Sequence, residues 1–459
     1  MKDFEVVIVG GGINGCGLLR DLSLNGVSTL LIEKGDFSSQ TSQGSSKMLH
    51  GGIRYLENFD LGLVQEALEE KNLWLKLAPH LCYEQNFYLP LYRYSKYRPF
   101  MLKMGLMLYD FLSHFQNKPH EMLSISETLK EVPSLSAEGL LGAGKYFDGI
   151  VDDAKLSLEC LYDALVEPMA SALSYHEVTK VTYLNNNVEV TFKSVLTQEE
   201  ETVRTRFLVF NTGPFTDRLL PQLKIPWNPQ LMPSKGIHLW LKPGTIKTSA
   251  PVVLTTKDHR VVFVIPQREA ILVGTTETKV QEEIFNIRAH PSEVDYLLNV
   301  LREYFPHSEL SEDSIISTYA AVRPLVREEG GQENLSKVSR FHKIFRPDSK
   351  TYVLLGGKYT TFRRMTQELS QEIVPRLGKK YQPNLTLNPL RQKSLMPTFG
   401  VRPPLTMELV KNIIETEKVT TFEDLVHRRL SIIHDPEKLH DVMGLSVDEV
   451  RKLFHKHSI

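Results

Sequence analysis

An α/β protein with two unlike sheets is the fold class this sequence predicts, and three observations predict it. The N-terminus reads strand, glycine-rich turn, helix, strand. Residues 252–275 hold three short β-rich runs separated by polar turns, and a strand–turn–helix pattern returns at 351–377. Alternating strands and helices build a parallel layer, whereas short strands joined by tight turns build an antiparallel one. The 459 residues are enough for about three units at roughly 150 residues each.

Taken in order, Phe4 to Val9 is a short apolar strand, followed by GGGINGCG and a helix that Gly26 closes. Val27 to Glu33 is the next strand, and a Ser/Gln/Thr stretch from Ser38 to Ser46 leads into KMLHGGIRYLE. Leu61, Val64, Leu68 and Leu75 share a helical spacing that Pro79 ends. Residues 98–115, RPFMLKMGLMLYDFLSHF, read as a buried helix, with a monotopic helix on a membrane face as the second reading. Asp152 and Asp153 read as two acids opening a helix. The runs Val252–Thr255, Val261–Pro266 and Ala270–Thr275 form an antiparallel meander. Beyond Pro383 the prolines thicken, and a short charged helical tail, Met407 to His457, closes the reading.

Composition narrows the function classes. There are 54 basic and 55 acidic residues, so no whole-molecule field favours nucleic acid, and none is expected as a partner. Cys16, Cys82 and Cys160 form no C-x-x-C pair and no metal-ligand spacing. They read as buried thiols in a reducing compartment, with no metal site. With no secretory signal and no apolar run of the roughly 18 residues a membrane helix needs, the expectation is a cytoplasm-facing, non-spanning protein.

The chemistry starts at Gly10-x-Gly12-x-x-Gly15 between a strand and a helix, with Glu33 at the end of the second strand. Gly10 allows the tight turn, Gly12 lets the backbone approach a pyrophosphate, and Gly15 permits close helix–strand packing. Helix N–H groups, including those of Ile13 and Asn14, meet the phosphates, while Glu33 accepts a ribose hydroxyl and disfavours a 2′-phosphate. The fingerprint does not separate NAD from FAD. The strands ending at Thr212–Gly213 and at Gly357 lean toward FAD, because flavoproteins of this kind return to the cofactor late in the chain.

GGGINGCG, TSQGSSKMLHGGIRYLENFD, VQEALEEKNLWLKLAPH, VDDAKL, FNTGPF, KGIH, FVIP, GTTET, YAAVRPL and LLGGKYTTFRR occur in that order. Together they resemble the FAD-dependent, aerobic-type glycerol-3-phosphate dehydrogenases of the D-amino-acid-oxidase-like flavoproteins, over residues 4–377. The resemblance implies an FAD-binding, Rossmann-like (glutathione-reductase-type) domain in three pieces, 1–80, 145–215 and 340–380. It adds an antiparallel substrate domain, 81–144 and 216–339, and a linker with a reduced helical C-terminal region, 381–459. It implies oxidation of sn-glycerol 3-phosphate to dihydroxyacetone phosphate by hydride transfer to flavin N5, with a quinone as electron acceptor and non-covalent FAD.

Carried over by motif, His50, His238, Arg323 and Lys358 are the catalytic group, and Arg54, Tyr55, Thr275, Arg340 and Thr361 hold substrate. Lys34, Thr41, Ser42, Ser45, Ser46, Lys47, Val178, Thr212, Gly213, Gly357, Lys358 and Thr360 join the fingerprint residues as cofactor contacts. The chemistry asks for such residues on its own terms. A phosphate dianion wants guanidinium forks and a lysine charge, and hydride loss from an alcohol wants a base and a cation for the developing alkoxide. His50 and His238 are the two side chains suited to take the proton, and the base stays open between them.

The resemblance also implies peripheral attachment to the cytoplasmic membrane face, with a homodimer as one assembly. Three departures stand out: Glu277 where the family has Asp in GTTD, Cys16 where it has Ala, and a shortened C-terminal region. An oxidase using oxygen, an enzyme for another anionic 2-hydroxy compound, and a non-catalytic flavoprotein are the rival readings.

Overall fold

The computed structural model describes residues 1–58, 60–258, 260–267, 270–280, 283–327, 341–399, 402–430 and 446–454. The strand Lys2–Val9 lies inside a sheet ordered His342–Phe345, Thr351–Gly356, Glu200–Phe210, Lys2–Val9, Thr29–Ile32, Ala170–Leu173. All neighbours are parallel except the first pair, which is a hairpin. Such a sheet is covered on both faces, and the period-two alternation of the first strand shows how. Val6 and Ile8 pack with the helices Ile13–Leu24, Asp153–Leu165 and Phe362–Arg376. Val7 and Val9 face the other way, toward Val190 and Phe192 of the hairpin His176–Tyr183/Val188–Ser194. Each fully buried Val or Leu here contributes about 1.5–3 kcal/mol.

The second sheet is built on the expected meander. Val252–Thr255, Val261–Pro266 and Ile271–Gly274 pair antiparallel, and Leu231–Leu241 and Ile315–Val326 extend them. A single parallel contact, Val252 with Tyr88, joins this half to Cys82–Tyr92. Residue 145, placed at a domain boundary by the sequence, falls inside the strand Leu140–Val151. That strand pairs with Cys82–Tyr92 from Cys82↔Val151 to Tyr92↔Leu140, so it belongs to the second sheet. Met48–Leu49 also crosses over, pairing with Ile150 and Gly149. The chain therefore passes between the sheets immediately before residue 48 and again after residue 151.

The methionine-rich segment forms the helix Pro99–Leu112, with proline in the first turn, where its missing N–H is tolerated. Leu102, Leu106, Tyr109 and Leu112 share one helical stripe and are buried against the second sheet. The opposite side is apolar but open: Phe100 is 73 % exposed and Phe111 61 %, alongside Met101, Met104 and Met107. The helix is thus buried on one face only.

Asp152 caps the helix Asp153–Leu165, accepting from the Lys155 N–H at 3.0 Å. Asp153 does not share that role; its carboxylate pairs with Lys47 Nζ at 2.5 Å. The C-terminal segment forms its own small core around Met396, Val410, Ile413, Leu425 and Leu430. The tail beyond residue 430 lies largely outside the described residues.

Two glycines test the packing. A Cβ on Gly15 would lie 1.9 Å from the Gly10 carbonyl oxygen, whereas Gly26, at φ +70°, has open space around it. Gly26→Ala is expected to cost about 1 kcal/mol of backbone strain, and Gly15→Ala about 3 kcal/mol or more, because the turn must open. Denaturant unfolding of the two variants checks this; equal losses would contradict the packing assigned to Gly15.

Candidate active site

The carboxyl ends of Lys2–Val9, Thr29–Ile32, Glu200–Phe210 and Thr351–Gly356 open into one cavity of about 1230 Å³ that reaches the second sheet. Crevices at this position are where open α/β sheets take ligands. At one end, Gly10 adopts φ +105°, with Asn211 O only 2.5 Å from where a Cβ would sit. A Cβ on Gly12 would meet only Ser42 Oγ, at 2.9 Å, so the backbone there stays open to the cavity. Ser42 Oγ accepts from the Ile13 N–H at 2.9 Å and fixes the loop over the helix start. The Glu33 carboxylate accepts from the Gly11 and Gly35 N–H groups at 2.6 and 2.8 Å. Burial still pushes its carboxyl up, against the pull of those two amides.

These features fit a bound dinucleotide. The Asn211 side chain lines the cavity beside Gly10, and both of its amide atoms are buried without a hydrogen-bond partner among the described residues. A buried amide in that state costs free energy unless a ligand completes it. Asn14, Lys34, Thr41, Ser45, Ser46, Val178, Thr212, Gly213, Gly357 and Thr360 also line the cavity. Two expected contacts do not line it. Gly15 packs beneath the turn, and Lys47 is buried behind Ser45 on Asp153.

The other end is built by the second sheet, the HGGIRY turn and the turn that follows Thr351–Gly356 in the first sheet. His50, Arg54, Tyr55, His238, Thr275, Arg323 and Lys358 line it together. Glycines make the approach possible: a Cβ on Gly274 would lie 2.1 Å from the His238 ring, and one on Gly236 2.5 Å from Arg323 Nη2. Arg323 donates through Nη2 to Thr275 Oγ1 at 2.8 Å. Lys358 Nζ sits 3.9 Å above the Tyr55 ring centroid and donates to Gly51 O at 3.3 Å. Thr360 Oγ1 accepts from the His50 N–H at 3.3 Å. Thr361 lies behind the wall, its hydroxyl donating to Lys358 O at 3.4 Å. Arg340 falls outside the described residues.

His238 is stacked on Tyr319, with ring centroids 4.7 Å apart. Its Nε2 meets Ser46 Oγ at 2.9 Å, and its Nδ1 is buried with no partner among the described residues. Burial, then Arg323 and Lys47, hold its pKa well below the ordinary imidazole value. It is therefore neutral and a poor resting place for a proton.

Asp148 is a lining residue that the sequence reading did not single out. Its carboxylate accepts from Tyr109 OH at 2.8 Å and from the Gly51 N–H at 3.4 Å, and lies 3.9 Å from the buried Lys71 ammonium. Burial raises its pKa to about 6, with Lys71 foremost among the groups opposing the rise. An acid inside the apolar run YFDGIV was the available signal. Asn211 carries one as well, in FNTG, directly before the Thr212–Gly213 turn.

A family model described as FAD dependent oxidoreductase matches residues 5–358. The aerobic glycerol-3-phosphate dehydrogenase of Bacillus subtilis (strain 168) is 32 % identical over 401 residues, covering 87 % of this chain and 71 % of the relative. Among solved structures, the glycerol-3-phosphate dehydrogenase from Bacillus halodurans complexed with FAD superposes with a TM-score of 0.76 at 23 % identity, over 99 % of this chain and 91 % of that one. The dithionite-reduced L-alpha-glycerophosphate oxidase from Mycoplasma pneumoniae with FAD bound gives 0.63 at 18 %, over 84 % and 98 %. The two structural likenesses speak for the fold.

Nitrogen-15 NMR of histidine-labelled protein reads the state of His238 directly. Its imidazole is expected to stay neutral from pH 8 down to pH 5, because a lowered pKa moves protonation to more acid solution. Titration near pH 6.5 would contradict the burial and cation field assigned to it.

Proposed function

The chain belongs to the FAD dependent oxidoreductase family, and on that premise we propose that it oxidises sn-glycerol 3-phosphate to dihydroxyacetone phosphate. The observation that carries the reading is the convergence of Arg54, Arg323 and Lys358 on one end of a cavity whose other end holds the glycine fingerprint. Three cations in one pocket suit a phosphorylated substrate and have no purpose for a neutral alcohol. The name of the Bacillus subtilis relative supports the same substrate.

FAD bound in this cavity would supply the two-electron acceptor for the hydride that the alcohol carbon loses. The fingerprint turn, Glu33, Ser42 and Asn211 would hold the dinucleotide. Arg54 binds the phosphate, Arg323 and Lys358 beside it steady the alkoxide, and Thr275 orients Arg323. His50 takes the hydroxyl proton in this reading, because His238 sits buried near two cations and has little affinity for one. His238 instead positions the hydroxyl, its ring held by the Nε2 contact with Ser46 Oγ at 2.9 Å and by stacking on Tyr319. The roles are shared between the sheets: the first supplies the dinucleotide turn and Lys358, and the second supplies His238 and Arg323.

A quinone in the lipid phase is the proposed electron acceptor, reached by peripheral attachment to the cytoplasmic membrane face. The open side of Pro99–Leu112 supports this, since Phe100, Met104, Met107 and Phe111 are exposed together while Met101, Leu102 and Gly105 line the cavity. Among the described residues no helix is long and apolar enough to cross a membrane.

Two experiments check these readings. Arg54→Met is expected to lower kcat/KM for sn-glycerol 3-phosphate by about 10- to 150-fold, the worth of one charged hydrogen bond, and to change weak glycerol turnover far less. Equal losses on both substrates would contradict the phosphate assignment. In liposome flotation the protein is expected to rise with vesicles and Phe100→Ser/Phe111→Ser to stay behind. A parent protein that stays at the bottom removes the membrane reading, and stoichiometric peroxide in air would make oxygen the acceptor.

A further inference from the structure

A buried charge cluster outside the cavity joins its wall to the C-terminal segment, beyond the residues the family model matches. Asp36, three residues after Glu33, is 2 % exposed. Its carboxylate accepts from Arg428 Nε and from both terminal nitrogens of Arg429. Arg429 is fully buried and also donates to the carbonyls of Glu417 and Lys418 at 3.0–3.1 Å. Arg428 donates to Asp424 at 2.7 Å and to Gln43 Oε1 at 3.2 Å. Gln43 in turn donates to the Ser39 carbonyl at 2.5 Å. The two arginines are consecutive and reach one carboxylate from the π-helical turn Leu425–Arg429, a geometry that concentrates at functional sites.

Asp36 and Gln43 do not line the cavity, but the residues between and beside them do, among them Glu33, Ser38, Ser39, Thr41 and Ser42. Among the described residues the first sheet takes no strand from the C-terminal segment, so the cluster is not needed to complete it. A dry, multiply bonded pair fixes geometry far more firmly than an exposed one, and pre-ordering a loop lowers the entropy a ligand must overcome. We infer that the segment Thr421–Leu430 is a retention latch for the dinucleotide: through Asp36 and Gln43 it holds the Glu33–Ser42 wall in its binding shape. Arg428, Arg429, Asp36 and Gln43 are positioning residues in this role. The inference rests on FAD occupying the cavity, and it holds whatever alcohol the enzyme oxidises.

The test is a titration of FAD-stripped full-length apoprotein with FAD, monitored by flavin fluorescence, for the parent, Arg428→Gln, Arg428→Lys and Gln43→Ala. Gln43→Ala leaves no buried charge unpaired, so it keeps the test available where an arginine variant fails to fold. The expected result is an FAD Kd raised at least tenfold in Arg428→Gln and in Gln43→Ala, partial recovery in Arg428→Lys, and a Gln43→Ala apoprotein that melts close to the parent's. A Gln43→Ala apoprotein that binds FAD within twofold of the parent overturns the latch, as does a lowered melting temperature with unchanged FAD Kd. A parent that binds no FAD overturns the cofactor premise instead, and the two failures are told apart by that control.

Discussion

The buried ion pair between Lys47 and Asp153 is the joint on which the site depends. Lys47 lies where the chain leaves the first sheet for the second, and Asp153 where it returns. Their side chains meet at 2.5 Å with almost no solvent contact. Taking both charges out of water costs several kcal/mol each, so the pair holds only because the lone pairs around it are used. Ser45 adds a hydroxyl at 2.6 Å and a backbone N–H at 3.1 Å to the same carboxylate, and Lys47 also donates to Gln43 O. Burial still pushes Asp153 up to about 6, with Lys47 pulling hardest against it.

That joint sets the geometry around His238. Ser45 is held, its carbonyl receives Tyr319 OH at 2.7 Å, and Tyr319 lies flat against the His238 ring. Ser46, next along the chain, meets the other edge of that ring. Tyr359, inside the GGKYTT turn, donates to the backbone carbonyl of Asp153, so the lysine turn is tied to the same point. One buried pair thereby positions groups from three distant stretches of chain. Thr41 makes a second tie, donating to the carbonyl of Val322 in the second sheet at 2.7 Å.

The parts of the fold legible in the sequence were those with a local signature. The glycine triad with its acid, the three-strand meander and the strand before GGKYTT each declare themselves within about ten to thirty residues, because periodicity and turn chemistry are local. The excursion of Leu140–Val151 into the second sheet was not legible, since its partner strand, Cys82–Tyr92, lies far back along the chain. At the site, residues in motifs were found as a group, but motif membership does not tell a wall from its backing. Lys47, Gly15 and Thr361 stand behind the surface, whereas Asp148 and Asn211 stand on it. Asp36 and Arg429 are 393 residues apart, and their pairing had no sequence signal beyond two adjacent arginines.

The most direct measurement is anaerobic. Purified FAD-loaded protein is mixed with sn-glycerol 3-phosphate in a stopped-flow cell, and the flavin band near ~450 nm is monitored. The expected result is rapid loss of that band with the phosphate ester and almost none with glycerol at equal concentration. A band that persists with sn-glycerol 3-phosphate, yet disappears with dithionite, would contradict the central claim: the flavin would be present and competent, and the cationic end of the cavity would serve a different substrate.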